Sequence, residues 1–169
     1  MQGFPNRVAI TGMGAICGLG HTLPEIWKNI LMGKSGISLV DAPTCLIEAL
    51  PVKIAGQVKN FKPHESVLPE KDHARYDRFI HYSLQSASEA LTTAKINPEN
   101  LPYPSERCGS ILGGGLGGLP LIEENYSTFL GKGARRVSPF FIPGIISNMA
   151  SGMISLKYKL KGVNYCISS

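Results

Sequence analysis

The side chains best suited to nucleophilic or metal chemistry are cysteines and histidines, but their spacing predicts no metal site. The cysteines are Cys17, Cys45, Cys108 and Cys166. They include no Cys-x-x-Cys pair, and no group of cysteines and histidines has the spacing of a zinc site. His73 and His81 are too far apart on one expected helix to share a metal, so we interpret both as surface residues. Glu123 and Glu124 are adjacent on another helix and point in different directions, which excludes a catalytic carboxylate pair.

Two glycine-rich segments could let the backbone approach a ligand or another backbone closely. Residues 12–20 follow an expected strand, but their Gly-x-Gly-x-x-x-Gly-x-Gly pattern is not that of a dinucleotide site. We interpret them as a tight turn that packs backbone against backbone. Residues 113–118 lack the Gly-Lys-Ser/Thr of a phosphate-binding loop, and Leu116 is the only side chain among them.

A basic cluster of Lys71, Arg75 and Arg78 falls in the first turn of an expected helix. Positive charge is unfavourable there because the helix dipole is positive at its N-terminus. Two interpretations stay open: an acidic partner docks on these residues, or they are solvated. The net charge of +5 suits an acidic partner but is too small to predict nucleic-acid binding.

Hydrophobic periodicity predicts the elements that must position these residues. A first helix is capped by Thr22, with Glu25 completing a capping box, and ends at Gly33. Strands are expected over 7–11, 52–58, 108–112 and 163–167, and further helices over 72–94, 120–130 and within 142–160. This order predicts an α/β fold with a largely parallel sheet. Ligands of such sheets bind at the carboxyl ends of strands, here the loop after Leu112 and whatever follows Ile167.

An apolar stripe follows a pair of aromatic residues near the end of the chain. Residues 135–143 read Arg-Arg-Val-Ser-Pro-Phe-Phe-Ile-Pro. Apolar residues then recur at three- and four-residue steps as far as Leu160. Such a stripe packs either in a core or at a subunit interface, and periodicity alone leaves both open.

Length and composition predict one globular domain over residues 1–169. Hydrophobic residues make up 43% of the chain and charged residues 17%, which disfavours disorder. No apolar run approaches the roughly 20 residues that span a bilayer, and no signal peptide is recognisable. We therefore expect a cytoplasmic protein with reduced thiols and no membrane association.

Eight short motifs, in order along the whole chain, together carry a resemblance. They are Val-Ala-Ile-Thr-Gly-Met-Gly at 8–14, Gly-Lys-Ser-Gly-Ile at 33–37, Asp-Arg-Phe at 77–79, Gly-Leu-Gly-Gly at 115–118, Ile-Glu-Glu at 122–124, the 135–143 stretch, Asn-Met-Ala at 148–150 and Gly-Val-Asn-Tyr-Cys-Ile-Ser-Ser at 162–169. This set resembles the β-ketoacyl-acyl-carrier-protein synthases, and the elongating type II enzymes of fatty acid synthesis fit best.

The resemblance implies a thiolase-like fold, with this chain as the N-terminal half of a duplicated five-layer α-β-α-β-α architecture. It implies fatty acid chain elongation by decarboxylative Claisen condensation of an acyl thioester with malonyl-acyl carrier protein. The implied partners are an acidic acyl carrier protein and a second copy in a homodimer, and no cofactor or metal is implied. The stripe that ends at Leu160 would then pack at or near the dimer contact.

The resemblance also places the nucleophile. In this family a cysteine on a sharp strand-to-helix turn takes the acyl chain as a thioester. That cysteine is expected just past Ser169, so no catalytic residue is assigned within the chain, and this segment alone is expected to be inactive. Cys166 matches a buried strand position before the turn.

A supporting site is implied residue by residue. Leu116 matches a branched residue that gates the acyl pocket, and Phe141 matches a phenylalanine whose rotation accompanies acyl entry. The residues that match basic positions of the carrier-protein docking patch are Lys71, Arg75, Arg135 and Arg136. Ala74 departs from the pattern, because a basic residue is common there in the family.

Two other interpretations stay open at this point. The chain could belong to a non-catalytic chain-length-factor subunit, which keeps the fold and lacks the nucleophile. It could also be a truncated or cleaved product that folds only as part of a dimer. A cysteine in the turn after Ser169 would favour the enzyme over the chain-length factor.

Overall fold

The structure, a computed structural model, describes residues 7–42 and 44–168. The residues considered for a signal peptide therefore lie outside the description, as does Ser169. The α-helices described are α1 Leu23–Leu31, α2 Thr44–Ala49, α3 Arg78–Thr93, α4 Leu119–Lys132, α5 Phe141–Ile145 and α6 Met149–Tyr158. The 3₁₀ helices are Glu70–Arg75, Ser105–Arg107 and Ala134–Arg136, and the strands are β1 Ser38–Leu39, β2 Ile54–Ala55, β3 Ser110–Gly113 and β4 Asn164–Ile167. No helix in these ranges is both long enough and apolar enough to cross a membrane.

The strands form two separate pairs. β3 and β4 are parallel, with Ser110 opposite Asn164 and Gly113 opposite Ile167. β1 and β2 are antiparallel and only two residues long, so most of the strand predicted over 52–58 is wrong. The parallel arrangement is confirmed for the second pair, while the prediction of one largely parallel sheet is only partly confirmed in the described residues.

The strand predicted over residues 7–11 is wrong. Val8 is 94% exposed and Ile10 is 83% exposed, and no strand among the described residues pairs with this segment. Just downstream of residues 7–11, hydrogen bonds hold the chain against α3 instead. The Met13 N–H donates to Thr93 Oγ1 at 3.0 Å, and the Ala15 N–H donates to Glu89 Oε2 at 3.0 Å. An apolar run without a neighbouring strand has no backbone ladder to join.

The close-packing interpretation of residues 12–20 is confirmed. A Cβ atom on Gly12 would stand 2.1 Å from the Ala90 carbonyl oxygen, and one on Gly14 would stand 2.1 Å from the Ser86 carbonyl oxygen. These glycines let the backbone lie directly on α3. The segment then continues into α1, where Thr22 accepts the Glu25 N–H as predicted.

The core lies between α3 and α6. Its buried members are Val67, Leu68, Ile80, Leu84, Ala150, Ile154 and Tyr158. The predicted stripe does not continue as one helix, because Ile146 is extended and separates α5 from α6. The buried face of α6 is therefore rotated from the predicted one, and Leu156 is 72% exposed.

The long helix begins at Arg78, not at residue 72. Residues 70–75 form a 3₁₀ helix, Tyr76 is extended, and Asp77 caps α3 by accepting the Phe79 N–H. Lys71 and Arg75 therefore lie outside the first turn of α3. Only Arg78 therefore places a positive charge at the unfavourable, positive end of the α3 dipole.

The same break overturns the interpretation of both histidines as surface residues. His81 is buried, and its ring centroid lies 5.2 Å from that of the half-buried His73. An uninterrupted helix would have separated them by more than two turns. Burial and the neighbouring His73 ring lower the pKa of His81.

Candidate functional site

The two predicted ligand-facing strand ends lie side by side. Because β3 and β4 are parallel with Gly113 opposite Ile167, both strands leave the sheet at the same edge. The Gly114 N–H extends the ladder by donating to the Ile167 carbonyl oxygen at 3.0 Å. Whatever follows β4 therefore begins beside the glycine loop 113–118.

The glycine loop packs directly on the end of α5. The Gly118 N–H donates to the Ile145 carbonyl oxygen at 2.9 Å. A Cβ on Gly117 would overlap that same oxygen, at a distance of 1.7 Å. A side chain at this position would push the loop away from α5, so glycine is required by close approach. Leu116, the one side chain of the loop, is 72% exposed.

Phe141, at the start of α5, lines an apolar cavity. The cavity has a volume of about 330 Å³. Its other lining residues are Ile122, Asn125, Tyr126, Phe129 and Val137. Leu116 is not among them, so the predicted pairing of Leu116 with Phe141 over one tunnel stays a prediction. A cavity with this lining has the character of a site for an apolar chain.

Asn125 holds the aromatic stretch against α4, a role that the sequence did not suggest. It is 6% exposed. Its Oδ1 accepts the Ser138 N–H at 2.9 Å, and its Nδ2 donates to the Leu121 carbonyl oxygen at 2.9 Å. The available signal was an amide among the apolar residues of a helix, where a buried polar group needs partners. Asn125 thus fixes the chain three residues before Phe141.

Asp77 is the second functional position that was missed, although it belongs to a quoted motif. Its buried carboxylate caps α3 and also accepts the Leu121 N–H in the first turn of α4 at 3.0 Å. Its own N–H donates to the Gly144 carbonyl oxygen in α5 at 3.2 Å. One residue therefore fixes the starts of α3 and α4 relative to α5.

The first basic group lies on the 3₁₀ helix Glu70–Arg75. Lys71, Ala74 and Arg75 are all exposed. The Arg75 guanidinium pairs with Asp72 at 2.6 Å, and its Cζ lies 4.6 Å from the centroid of the Phe140 ring. The structure therefore brings Arg75 to the aromatic stretch.

The second basic group lies on the 3₁₀ helix Ala134–Arg136. Arg135 and Arg136 are both exposed. Arg136 lines a cavity of about 660 Å³ together with Thr128 and Lys132 of α4. Both basic groups are thus connected to the segment around Phe140, one through Arg75 and the other along the chain.

A polar network anchors β4 on α6. The fully buried Ser151 hydroxyl donates to Asn164 Oδ1 at 2.9 Å, and Asn164 Nδ2 donates to Ser155 Oγ at 2.9 Å. Cys166 lies within β4 opposite Leu112 and is half-buried. It lies inside a strand ladder as predicted, but it is half-buried where the sequence predicted a buried position. Among the described residues no group of three or more side chains could hold a metal ion.

Comparison with known proteins now decides the family. The family model described as "Beta-ketoacyl synthase, N-terminal domain" matches residues 5–169. The chain belongs to the β-ketoacyl synthase family. The 3-oxoacyl-[acyl-carrier-protein] synthase 2 of Coxiella burnetii is 42% identical over 165 residues, which are 95% of this chain and 38% of that protein. This β-ketoacyl synthase chain therefore spans well under half the length of the relative it matches.

Solved ketosynthase structures share the fold. A structure titled "The ishigamide ketosynthase/chain length factor" matches with a TM-score of 0.77 and 20% identity, covering 94% of this chain and 39% of that chain. A type II polyketide ketosynthase, solved with its acyl-carrier protein and bound to a hexaketide, matches with a TM-score of 0.69 and 17% identity, covering 91% and 40%. The expected thiolase-like fold is confirmed at this level for the β-ketoacyl synthase segment.

Proposed function

We propose that this chain, as the N-terminal half of a longer synthase, serves fatty acid chain elongation by decarboxylative Claisen condensation. The observation that carries the proposal is its 42% identity to a 3-oxoacyl-[acyl-carrier-protein] synthase 2 over 95% of the chain. The geometry supports the proposal. The glycine loop joins β3, whose end lies beside the end of β4, to α4, which lines the apolar cavity together with Phe141. In the proposed whole protein, residues 1–169 belong to the N-terminal half of a duplicated five-layer fold, and two copies of that protein form a homodimer in the cytoplasm.

The proposed reaction has two transfers. A cysteine thiolate, which we place in the turn after β4, attacks the acyl-carrier thioester and forms an acyl-enzyme thioester. The carrier leaves as a thiolate and takes up a proton from solvent. Malonyl-carrier thioester then loses carbon dioxide, and the electron pair left on its α-carbon attacks the acyl-enzyme carbonyl. The cysteine thiolate leaves, and the product is a 3-oxoacyl-carrier thioester two carbons longer. No cofactor is required by this balance.

Within this scheme the described residues bind and orient. Phe141 and the cavity of α4 receive the acyl chain, with Leu116 proposed as a gate from the glycine loop. The four exposed basic residues, Lys71, Arg75, Arg135 and Arg136, attract an acidic carrier protein. Such rim charges mainly raise the association rate and select the partner. The polyketide ketosynthase of similar fold was solved with its acyl-carrier protein, which supports a carrier as the partner.

A chain-length-factor subunit remains the second candidate, because one matched structure is titled as a ketosynthase and chain length factor. The two candidates differ in the turn after β4, where only the enzyme needs a cysteine. We favour the enzyme because the relative with the higher sequence identity is named as a synthase. Sequencing past Ser169 and labelling the full-length protein with a thiol-reactive acyl analogue would decide between them.

The proposed function is tested with the full-length protein, acyl-carrier thioester and malonyl-carrier thioester. We expect a 3-oxoacyl product, and residues 1–169 alone should form none. Phe141→Ala should change the acylation rate and the chain-length profile, whereas Tyr103→Ala, an exposed aromatic outside this cavity, should change neither. Full turnover by residues 1–169 alone would overturn the assignment of the nucleophile. An unchanged profile for Phe141→Ala would overturn its role in the acyl site.

A further inference from the structure

The end of the 3₁₀ helix Glu70–Arg75 lies against α5 at Gly144, next to the side chain of Leu121. A Cβ on Gly144 would stand 2.6 Å from the Arg75 carbonyl oxygen. One residue beyond Tyr76, the Asp77 N–H donates to the Gly144 carbonyl oxygen at 3.2 Å. A shift of the basic 3₁₀ helix therefore acts directly on α5.

The Arg75 side chain is shared between two neighbours and water. Its guanidinium pairs with Asp72 at 2.6 Å and covers the Phe140 ring at 4.6 Å. The Arg75 side chain is still 45% exposed, against 18% for Asp72. An arginine guanidinium has several donors in a planar fork, so the exposed part can receive a carboxylate from outside. That carboxylate would compete with Asp72 for the positive charge and with the Phe140 ring for the guanidinium plane.

The backbone links the position of Phe140 to that of Phe141. The Phe140 N–H donates to Ser138 Oγ at 3.1 Å, and the Phe140 carbonyl oxygen accepts the Gly144 N–H at 2.8 Å. Phe140 thus forms the N-terminal cap position of α5, and Phe141 is the first residue of that helix. A change in the backbone angles of Phe140 would change the direction in which α5, and with it Phe141, begins.

We propose that the stacking of Arg75 on Phe140 couples the docking of an acidic carrier protein to the position of Phe141 in the acyl cavity. This inference rests on the proposed function. In the free protein, Arg75 holds Phe140 and the start of α5 in the arrangement described above. Docking draws the guanidinium toward carrier carboxylates, which releases the Phe140 ring and lets Phe141 move as the acyl chain is delivered. Acyl entry is then favoured when the donor is attached to its carrier.

The test compares two donors of the same acyl chain with the full-length protein. One is the acyl-carrier thioester, and the other is the matching acyl-pantetheine thioester, which has no carrier surface. Single-turnover acylation at saturating donor gives the ratio of the two maximal rates. Phe140→Leu should lower this ratio by about twofold to fivefold, the equilibrium factor of an exposed cation–π contact. Arg75→Lys, which keeps the charge and loses the planar stack, should lower the ratio similarly.

Controls separate coupling from docking and from folding. Phe140→Tyr retains the ring and should restore the wild-type ratio, and the double variant of Phe140→Leu with Arg75→Lys should change it no more than either single change. Lys71→Gln, on the same 3₁₀ helix, should raise the Kd for the carrier. The inference is overturned if the ratio is unchanged in Phe140→Leu, including the case in which both rates fall equally. If the wild-type protein takes no acyl group from the carrier donor, the proposed function itself fails.

Discussion

The Asp77 carboxylate accepts the Leu121 N–H at 3.0 Å and thereby joins the start of α4 to the start of α3. The contact spans 44 residues of sequence and is part-buried, and Asp77 itself is buried. The first N–H groups of a helix have no partner within it, so a carboxylate placed there satisfies a donor that burial would otherwise leave unpaired. Asp77 does this for two helices at once.

Asp77→Ala should therefore destabilise the protein more than an ordinary helix-cap deletion. We expect a loss of about 1.5–3 kcal/mol in the free energy of unfolding, the range for hydrogen bonds to charged groups. Urea unfolding followed by circular dichroism measures it. Glu124→Gln, which neutralises an exposed carboxylate on α4, serves as the control and should change stability by less than about 0.5 kcal/mol. Equal effects of the two changes would contradict the bridging role.

Local signals predicted some elements well and failed where a distant contact decided the structure. Thr22, with a proline in the following turn, gave the start of α1 correctly because a cap acts on its own neighbours. The start of α3 was placed too early because helical spacing continues upstream through the 3₁₀ helix. The burial of His81 was missed for the same reason, since it depends on the break at Tyr76.

The candidate site was less predictable than the helices. The family motifs pointed to Phe141 and the glycine loop as parts of the site, and these roles stay predictions. The position of the loop at a strand end also followed from the predicted sheet. The contacts of Arg75 with Phe140 and of Asn125 with Ser138 depend on how separate elements pack, and no periodicity within one element encodes them. The exposed segment around Val8 failed as a strand because its prediction presumed a partner strand that the described residues do not supply.

Gly14→Ala should strongly disturb the contact between residues 12–20 and α3. The new methyl group would stand 2.1 Å from the Ser86 carbonyl oxygen, and neither backbone can retreat without breaking the bond between the Ala15 N–H and Glu89. Overpacking of this kind costs about 1–3 kcal/mol. Gly131→Ala is the matched control, because a Cβ there meets nothing within 4 Å and the residue lies in α4. The control should be neutral or stabilising by up to about 1 kcal/mol. A thermal melt of both variants compares them, and similar melting temperatures would contradict the packing argument.

His81 should make stability fall in mild acid. Burial, and then the His73 ring, lower its pKa in the folded protein, against a smaller opposing influence of Asp77. The unfolded chain, where the pKa is near 6.5, therefore binds a proton first as the pH falls. Above that pH the neutral His81 contributes its full stabilisation. As the pH drops below it, the free energy of unfolding falls, and the fall stops once His81 is also protonated in the folded protein.

The measurement is urea unfolding between about pH 7.5 and about pH 5, where histidine titrates. His81→Gln should reduce the fall in the free energy of unfolding between neutral and acid pH, whatever its effect on stability at neutral pH. Thr92→Ala, a non-titrating change at an exposed position of α3, is the control and should leave the slope nearly as in the wild type. If the slope of His81→Gln matched that of the wild type, the buried histidine would not be its source.

Asn125→Ala should loosen the aromatic stretch while leaving α4 intact. The change removes the acceptor of the Ser138 N–H, and it removes one wall of the cavity that Phe141 lines. Leaving a buried donor unpaired costs about 1–3 kcal/mol, and in this chain the cost falls on the segment before Phe141. We therefore expect faster amide exchange at Ser138 to Phe141, with helix protection in α4 retained.

Asn125→Asp keeps an acceptor for the Ser138 N–H and should retain most of the protection there. In the full-length protein, Asn125→Ala should also alter the chain-length profile of acylation, and Asn125→Asp should alter it less. Uniform loss of protection across α4 would mean that Asn125 supports the helix rather than the aromatic stretch.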